Sequence, residues 1–126
     1  MTRSDFVQRL VLSEISDDFE NVDQIIFKWV ASRGAKCGLP IKRSEVVDAL
    51  SHLVADGLAK AYTLPGPTRD PFSGELPGMP PLDLIEEDFK TYFYITKKGM
   101  DVHRADDDWW PLDDDGNLKS GWRLSD

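Results

Sequence analysis

The chain has 126 residues, 40% hydrophobic and 30% charged, a balance that excludes a disordered polymer and suffices for one buried core. Its 15 basic and 23 acidic side chains leave a formal charge of −8, which excludes diffuse attraction to polyphosphate unless the cations are gathered in one place. No apolar run reaches the roughly 20 residues of a membrane span, and the lone Cys37 rules out an internal disulfide or a cysteine zinc cluster and fits a reducing cytoplasm.

In chain order, Met1-Thr2-Arg3-Ser4-Asp5 lacks the basic-then-apolar layout of a secretory signal. Phe6, Val7, Leu10, Val11 and Ile15 recur at steps of three and four, which predicts a first helix with Ser4 as its cap. Val22, Ile25, Ile26, Trp29 and Val30 predict a second helix with Trp29 on its core face, capped by Asn21 with Gln24 and ended by Gly34. A third is expected from about Lys42 to Asp56, burying Val46, Val47, Leu50, Leu53 and Val54 and stopping at Gly57.

After Gly57 the period shortens. Residues 58–64 alternate as a strand, with Leu58, Tyr62 and Leu64 on one side, and Thr91–Ile95 is rich in the aromatic and β-branched residues of a partner strand. Six prolines between them make residues 65–81 loop. Thr96 can cap a short fourth helix over Lys97–Arg104, and the remainder from Asp106 sets Trp109, Trp110 and Trp122 among aspartates.

Two phrases in the right order carry a resemblance. Ser44-Glu45-Val46-Val47-Asp48-Ala49-Leu50-Ser51-His52-Leu53-Val54-Ala55-Asp56-Gly57-Leu58 looks like the third helix and wing start of MarR-like and PadR-like regulators. Tyr94-Ile95-Thr96-Lys97-Lys98-Gly99 is similar to the phrase with which such wings return into the next helix. The resemblance spans about residues 4–104 and implies an α+β winged helix-turn-helix. Its parts would be a three-helix core, a two-stranded wing with a long proline-rich loop, and an acidic, tryptophan-rich extension. Residues 1–105 would form the domain and 106–126 the extension. The chain departs from these families at Lys42, where they often carry a capping Ser or Thr, and in the length of the wing loop.

The function such a fold implies is a DNA-binding regulator, a cytoplasmic homodimer with no cofactor. The outer face of its third helix meets the major groove while nearby cations grip phosphates. The candidate DNA contacts are Lys42, Arg43, Ser44, Asp48, His52, Lys60, Arg69, Lys97 and Lys98, with Lys90 beside them. Glu45 and Asp48 on the same helix oppose a polyanion. The competing expectation is a protein-interaction module with an acidic, aromatic surface and no nucleic-acid site. Trp109, Trp110 and Trp122 would complete the core or a dimer seam, or dock a protein partner.

No constellation points to an enzyme: there is no nucleophilic triad, phosphate-binding glycine loop or dinucleotide fingerprint. Asp113, Asp115 and Asn117 match the start of a calcium loop, but Leu118 and Leu124 stand where glycine and glutamate belong, so an acidic turn is expected and no metal. His103 has helical spacing to Asp106 and Asp107, an incomplete metal pair without further ligands. Cys37 is expected to be a plain loop cysteine, with redox sensing the alternative because the adjacent Lys36 could lower its thiol pKa. Glu86-Glu87-Asp88 is an unbroken acidic run of the kind that is usually solvated.

Overall fold

Thr2, not Ser4, starts the first helix: its hydroxyl accepts from the Asp5 amide at 3.0 Å while the Asp5 carboxylate accepts from the Thr2 amide. In the computed structural model, which describes residues 1–82, 90–105 and 107–124, this helix, α1, runs Arg3–Glu14. It buries Phe6, Val7, Leu10, Val11 and Leu12, with Ile15 just beyond its end. The cap lies two residues upstream of the expected one because Asp5 closes a reciprocal pair with Thr2.

A two-residue strand, β1 (Glu20–Asn21), follows, too short to carry a sequence signal. Asn21 caps the next segment as expected, its Oδ1 accepting from the amides of Asp23 and Gln24. Its Nδ2 donates to the Thr91 carbonyl at 3.1 Å, which fixes the helix start to the sheet. The segment opens with a π-helical turn, Val22–Ile26, in which the Phe27 amide bonds to the Val22 carbonyl, and continues as α2 (Phe27–Lys36). The wide turn corrects the expected core face. Buried positions fall at Val22, Ile26, Val30 and Gly34, and Trp29 is turned out to 47% exposure. One extra residue per turn rotates everything after it relative to a 3.6-residue stripe.

Gly34 is likewise not the end of α2. It is buried where the Leu39 carbonyl and the Ile41 side chain would collide with any Cβ, and Gly38, at φ 79°, supplies the left-handed turn instead. The third helix, α3 (Arg43–Ala55), buries Val46, Ala49, Leu50 and Leu53 and keeps Val47 and Val54 partly covered. Lys42 has no side-chain acceptor, so Glu45 provides the cap, accepting from the Lys42 amide at 2.8 Å.

Strands β2 (Ala59–Thr63) and β3 (Thr91–Ile95) pair antiparallel with Ala61 opposite Phe93 and Tyr62 opposite Tyr92. With β1 they form a three-stranded sheet in the order β1-β3-β2. Ala59, Ala61, Phe93 and Ile95 face the helices, the two alanines leaving room for the larger pair across the ladder. Tyr62 and Tyr94 therefore point to the opposite face. The long loop carries one 3-10 turn, Pro71–Gly74, and then folds back on the free edge of β2, where the Leu76 amide donates to the Ala61 carbonyl at 2.9 Å. An edge that would otherwise offer unpaired amides is thereby covered.

Thr96 caps α4 (Lys97–Arg104), accepting from the Gly99 amide at 3.0 Å and donating to the Gly57 carbonyl at 2.6 Å. The chain is thus α+β, with four helices and a three-stranded antiparallel sheet among the described residues. Beyond α4 the tail turns back over the helices. Leu112 is 5% exposed, and Trp109, Trp110, Leu118 and Leu124 pack against the core.

Candidate functional site

Lys42, Ser44, Asp48 and His52 are exposed, the last three in a line at four-residue steps along the outer edge of α3. Arg43 is turned inward. Its Nε and Nη2 meet the two carboxylate oxygens of Asp23 at 2.5 and 3.0 Å, with side chains only 17% and 9% exposed. Glu45 faces α1, where the Arg3 guanidinium holds it at 2.6 Å and also reaches the Pro40 carbonyl. The hydrogen bond from Arg3 keeps the Glu45 carboxyl below the usual carboxylate range, assisted by the Lys42 amide and the charges of Arg3 and Lys42. Both residues thus brace the start of α3 against the preceding chain, with the planar guanidinium fork matching each carboxylate.

Three of the remaining candidate cations have partners within the chain. Lys60 on β2 is paired with Glu75 at 2.6 Å, and Lys97 with Asp101 at 3.3 Å. Lys98 donates to the Asp56 carbonyl at 2.8 Å, where it neutralises the C-terminal end of α3. Arg69 is exposed on the long loop between β2 and β3, and Lys90 is exposed just before β3. What the structure brings together on α3 is therefore Lys42 with Ser44, Asp48 and His52, a mixed edge with one carboxylate.

The tryptophans sit on cations of their own chain. Arg9 of α1 lies between Trp109 and Trp122, 5.7 and 5.1 Å from the two ring centres, and donates to the Trp109 carbonyl at 2.7 Å. Arg33 of α2 lies 5.3 Å from Trp110 and also pairs with Glu14 at 3.2 Å. Such stacking of a guanidinium on an indole contributes about 0.5–2 kcal/mol. Beside Trp109 a cleft of about 160 Å³ is lined by Asp5, Arg9, Leu12, Leu53, Leu58 and Val102. Its guanidinium is already engaged, and the Asp5 carboxylate opposes an anion there.

Cys37 does not favour the redox alternative. Its Sγ lies 3.4 Å from the carbonyls of both Arg33 and Gly34, and burial pushes the thiol above its ordinary range, away from the reactive thiolate. His103 packs on Trp109 at 5.0 Å, and burial followed by the charge of Arg104 lowers its pKa. Of its two expected partners, Asp106 and the side chain of Asp107 lie outside the described residues, as do Glu86, Glu87 and Asp88. Among the described residues no group of three or more His, Cys, Asp or Glu is placed to hold a metal. Asp113 forms a turn, its Oδ1 accepting from the amides of Asp115 and Asn117 at 2.9 and 3.0 Å.

A second surface had no place among the sequence candidates. On the outer face of the sheet, Phe19 stacks on Tyr94 with centroids 4.8 Å apart, and Tyr62 meets Phe19 edge-on at 4.9 Å. Phe72 from the 3-10 turn closes the cluster at 5.2 Å from Phe19 and 5.8 Å from Tyr94, and remains 51% exposed. The alternation of Tyr62, Tyr92 and Tyr94 along two strands was a legible signal for an aromatic outer face. Phe72, among prolines, gave none. Among the described residues no helix is long and apolar enough to cross a membrane. No protein-family model, curated protein or solved structure matches the chain.

Proposed function

We propose that this chain is a winged helix that serves as a protein-interaction module. The chain order α1, β1, α2, α3, β2, β3, α4 and the sheet order β1-β3-β2 support the fold part of that reading. On this reading β2 and β3 with the long loop between them are the wing, and the residues after α4 are the extension, with Trp109 and Trp122 on Arg9 of α1 and Trp110 on Arg33 of α2. Because a fold does not fix an activity, the function rests on one observation at the site. Of the two cations at the start of the third helix, Arg43 is bound to Asp23, and Lys60, Lys97 and Lys98 are each engaged within the chain. A phosphate backbone would have to displace those partners while approaching a chain of net charge −8.

The test is the anisotropy of a labelled random-sequence DNA duplex titrated with the protein across a range of salt. The expected outcome is no association at low salt, and strong association that falls steeply with salt would overturn the proposal. A DNA-binding regulator is the second reading, favoured by the exposure of Lys42, Ser44 and His52 along α3. On that reading Lys42→Ala flattens the salt slope by about one unit. A cytoplasmic homodimer without catalytic activity belongs to both readings, and sedimentation of the purified chain tests the dimer.

A further inference from the structure

We infer that the face of α1 and α2 beneath the tail is the docking site for an acidic, tryptophan-bearing segment of another protein, with the chain's own tail as its competitor. The inference rests on the interaction-module reading and names its surface and its partner's chemistry. Three cations of the two helices lie against the tail. Arg9 sits between Trp109 and Trp122, and Arg33 lies on Trp110. The Lys36 side chain runs so close to Gly116 that a Cβ there would come within 3.1 Å of its Nζ. Glu14 pairs with Arg33, and Asp5 lines the cleft beside Arg9. The kind of occupant that fits this face is therefore visible in the chain itself. It carries indoles for the guanidinium planes, and exposed carboxylates at Asp113, Asp114 and Asp115 on the turn that brings Gly116 to Lys36.

Two features let another segment compete for the seat. The tail's backbone is bonded to itself: the Asp113 amide donates to the Asn117 carbonyl, the Lys119 amide to Pro111 and the Trp122 amide to Lys119. Among the described residues no backbone amide–carbonyl bond joins residues 107–124 to residues 1–104. Side chains such as Leu112 hold the tail, and the Met1 ammonium and the Arg9 guanidinium reach its carbonyls. The seat is also larger than the tail fills. The cleft of about 160 Å³ beside Trp109 has a floor of Leu12, Leu53, Leu58 and Val102, room for one further ring-sized side chain. A segment that supplies one there gains a contact the tail lacks.

The rings select the class of occupant. A DNA duplex presents phosphates but no open ring faces to replace three indoles, and it meets a net charge of −8. Displacing the tail costs the partner the tail's own affinity, so the partner must match its aromatic anchors.

The experiment follows the anisotropy of a fluorescein-labelled peptide with the sequence of residues 107–124, titrated with the full chain. The same peptide with alanine at its three tryptophans is the control. A tethered competitor acts at an effective concentration on the order of millimolar, so the wild type should bind the peptide weakly. Full-length Trp110→Ala with Trp122→Ala loosens the chain's own tail and should bind it about tenfold tighter, as the loss of two ring–guanidinium contacts implies. Adding Arg33→Gln and Lys36→Gln should remove that gain, and neither chain should bind the control. Equal affinities of wild type and tail variant, or a gain that survives Arg33→Gln with Lys36→Gln, would overturn the inference. So would a concentration-dependent mass lost in the tail variant, which assigns the face to the tail of a second copy. Should the tail variant not fold, hydrogen exchange of the isotope-labelled wild type decides. Saturating peptide should strip protection from the Asp113 and Lys119 amides, and unchanged protection overturns the competition. Duplex DNA bound by the tail variant alone gives the face to a polyanion and overturns this surface, whereas duplex bound by the wild type overturns the module reading itself.

Discussion

Arg43 and Asp23 are joined by two hydrogen bonds, 2.5 and 3.0 Å long, that tie the first turn of α3 to the π-helical turn before α2. The pair does two things at once. It locks two helix starts together, and it withdraws from the surface the arginine best placed to meet a phosphate.

Asp23→Asn separates those roles. Removing the negative charge of Asp23 from this mostly buried pair should cost up to about 3–5 kcal/mol. Urea denaturation of the variant should show a lowered midpoint with an unchanged slope. The same variant should gain salt-sensitive affinity for duplex DNA if α3 can face a groove at all. Unchanged DNA affinity would strengthen the interaction-module proposal.

Leu50→Ala tests the core. Leu50 is fully buried on α3, the helix that packs against both α1 and β2. Truncation there should cost about 2–5 kcal/mol, depending on how far the cavity collapses. A midpoint close to wild type in urea would mean that α3 is not seated as described.

Deletion of residues 106–126 tests whether the tail belongs to the folding unit. It removes the buried Leu112 together with Trp109 and Trp110 from the helices, and strips Arg9 of both its indoles. The melting temperature should fall by about 10 °C or more, since several partly buried apolar side chains are worth a few kcal/mol. The drop should be similar at low and high salt, because apolar burial is not screened. Unchanged melting would detach the tail from the core.

Two glutamates should respond to pH in opposite senses. The Glu20 pKa is raised, so its folded form takes up a proton before the unfolded form does. Stability therefore falls as pH rises from the ordinary carboxylate value through the folded one. Glu20→Gln should raise the melting temperature at neutral pH, by an amount limited by solvent screening, and the gain should vanish below about pH 4. Glu45 is lowered, chiefly by Arg3, so its stabilisation is present above its ordinary pKa and is lost as pH falls through the folded one. Glu45→Gln should destabilise at neutral pH and converge on wild type in acid. Melting curves of both variants between neutral and acid pH check the signs.

The elements with strong local periodicity were legible from residues alone. The stripe Val46, Leu50, Leu53 placed α3, Thr96 placed the start of α4, and the aromatic run Thr91–Ile95 placed a strand. Each depends on neighbours a few positions away, which a linear reading contains. The sequence also determined the net charge of −8 and the proline-rich loop, because composition survives folding.

Tertiary structure decided the rest. Trp29 was turned outward by a wide turn that no periodicity announces, and Gly34 was claimed by the close approach of Leu39 and Ile41 rather than by a helix end. The two-residue β1 exists because β3 offers it a partner. Most of all, a lysine or arginine looks alike in sequence whether it is open or engaged. Arg43 met Asp23 twenty residues away and Arg9 met Trp109 a hundred residues away, and Phe72 reached Phe19 across the sheet. Contacts of that separation depend on how helices and loops converge in space, and so only the folded chain could show which charges were spent internally and which rings were left at the surface.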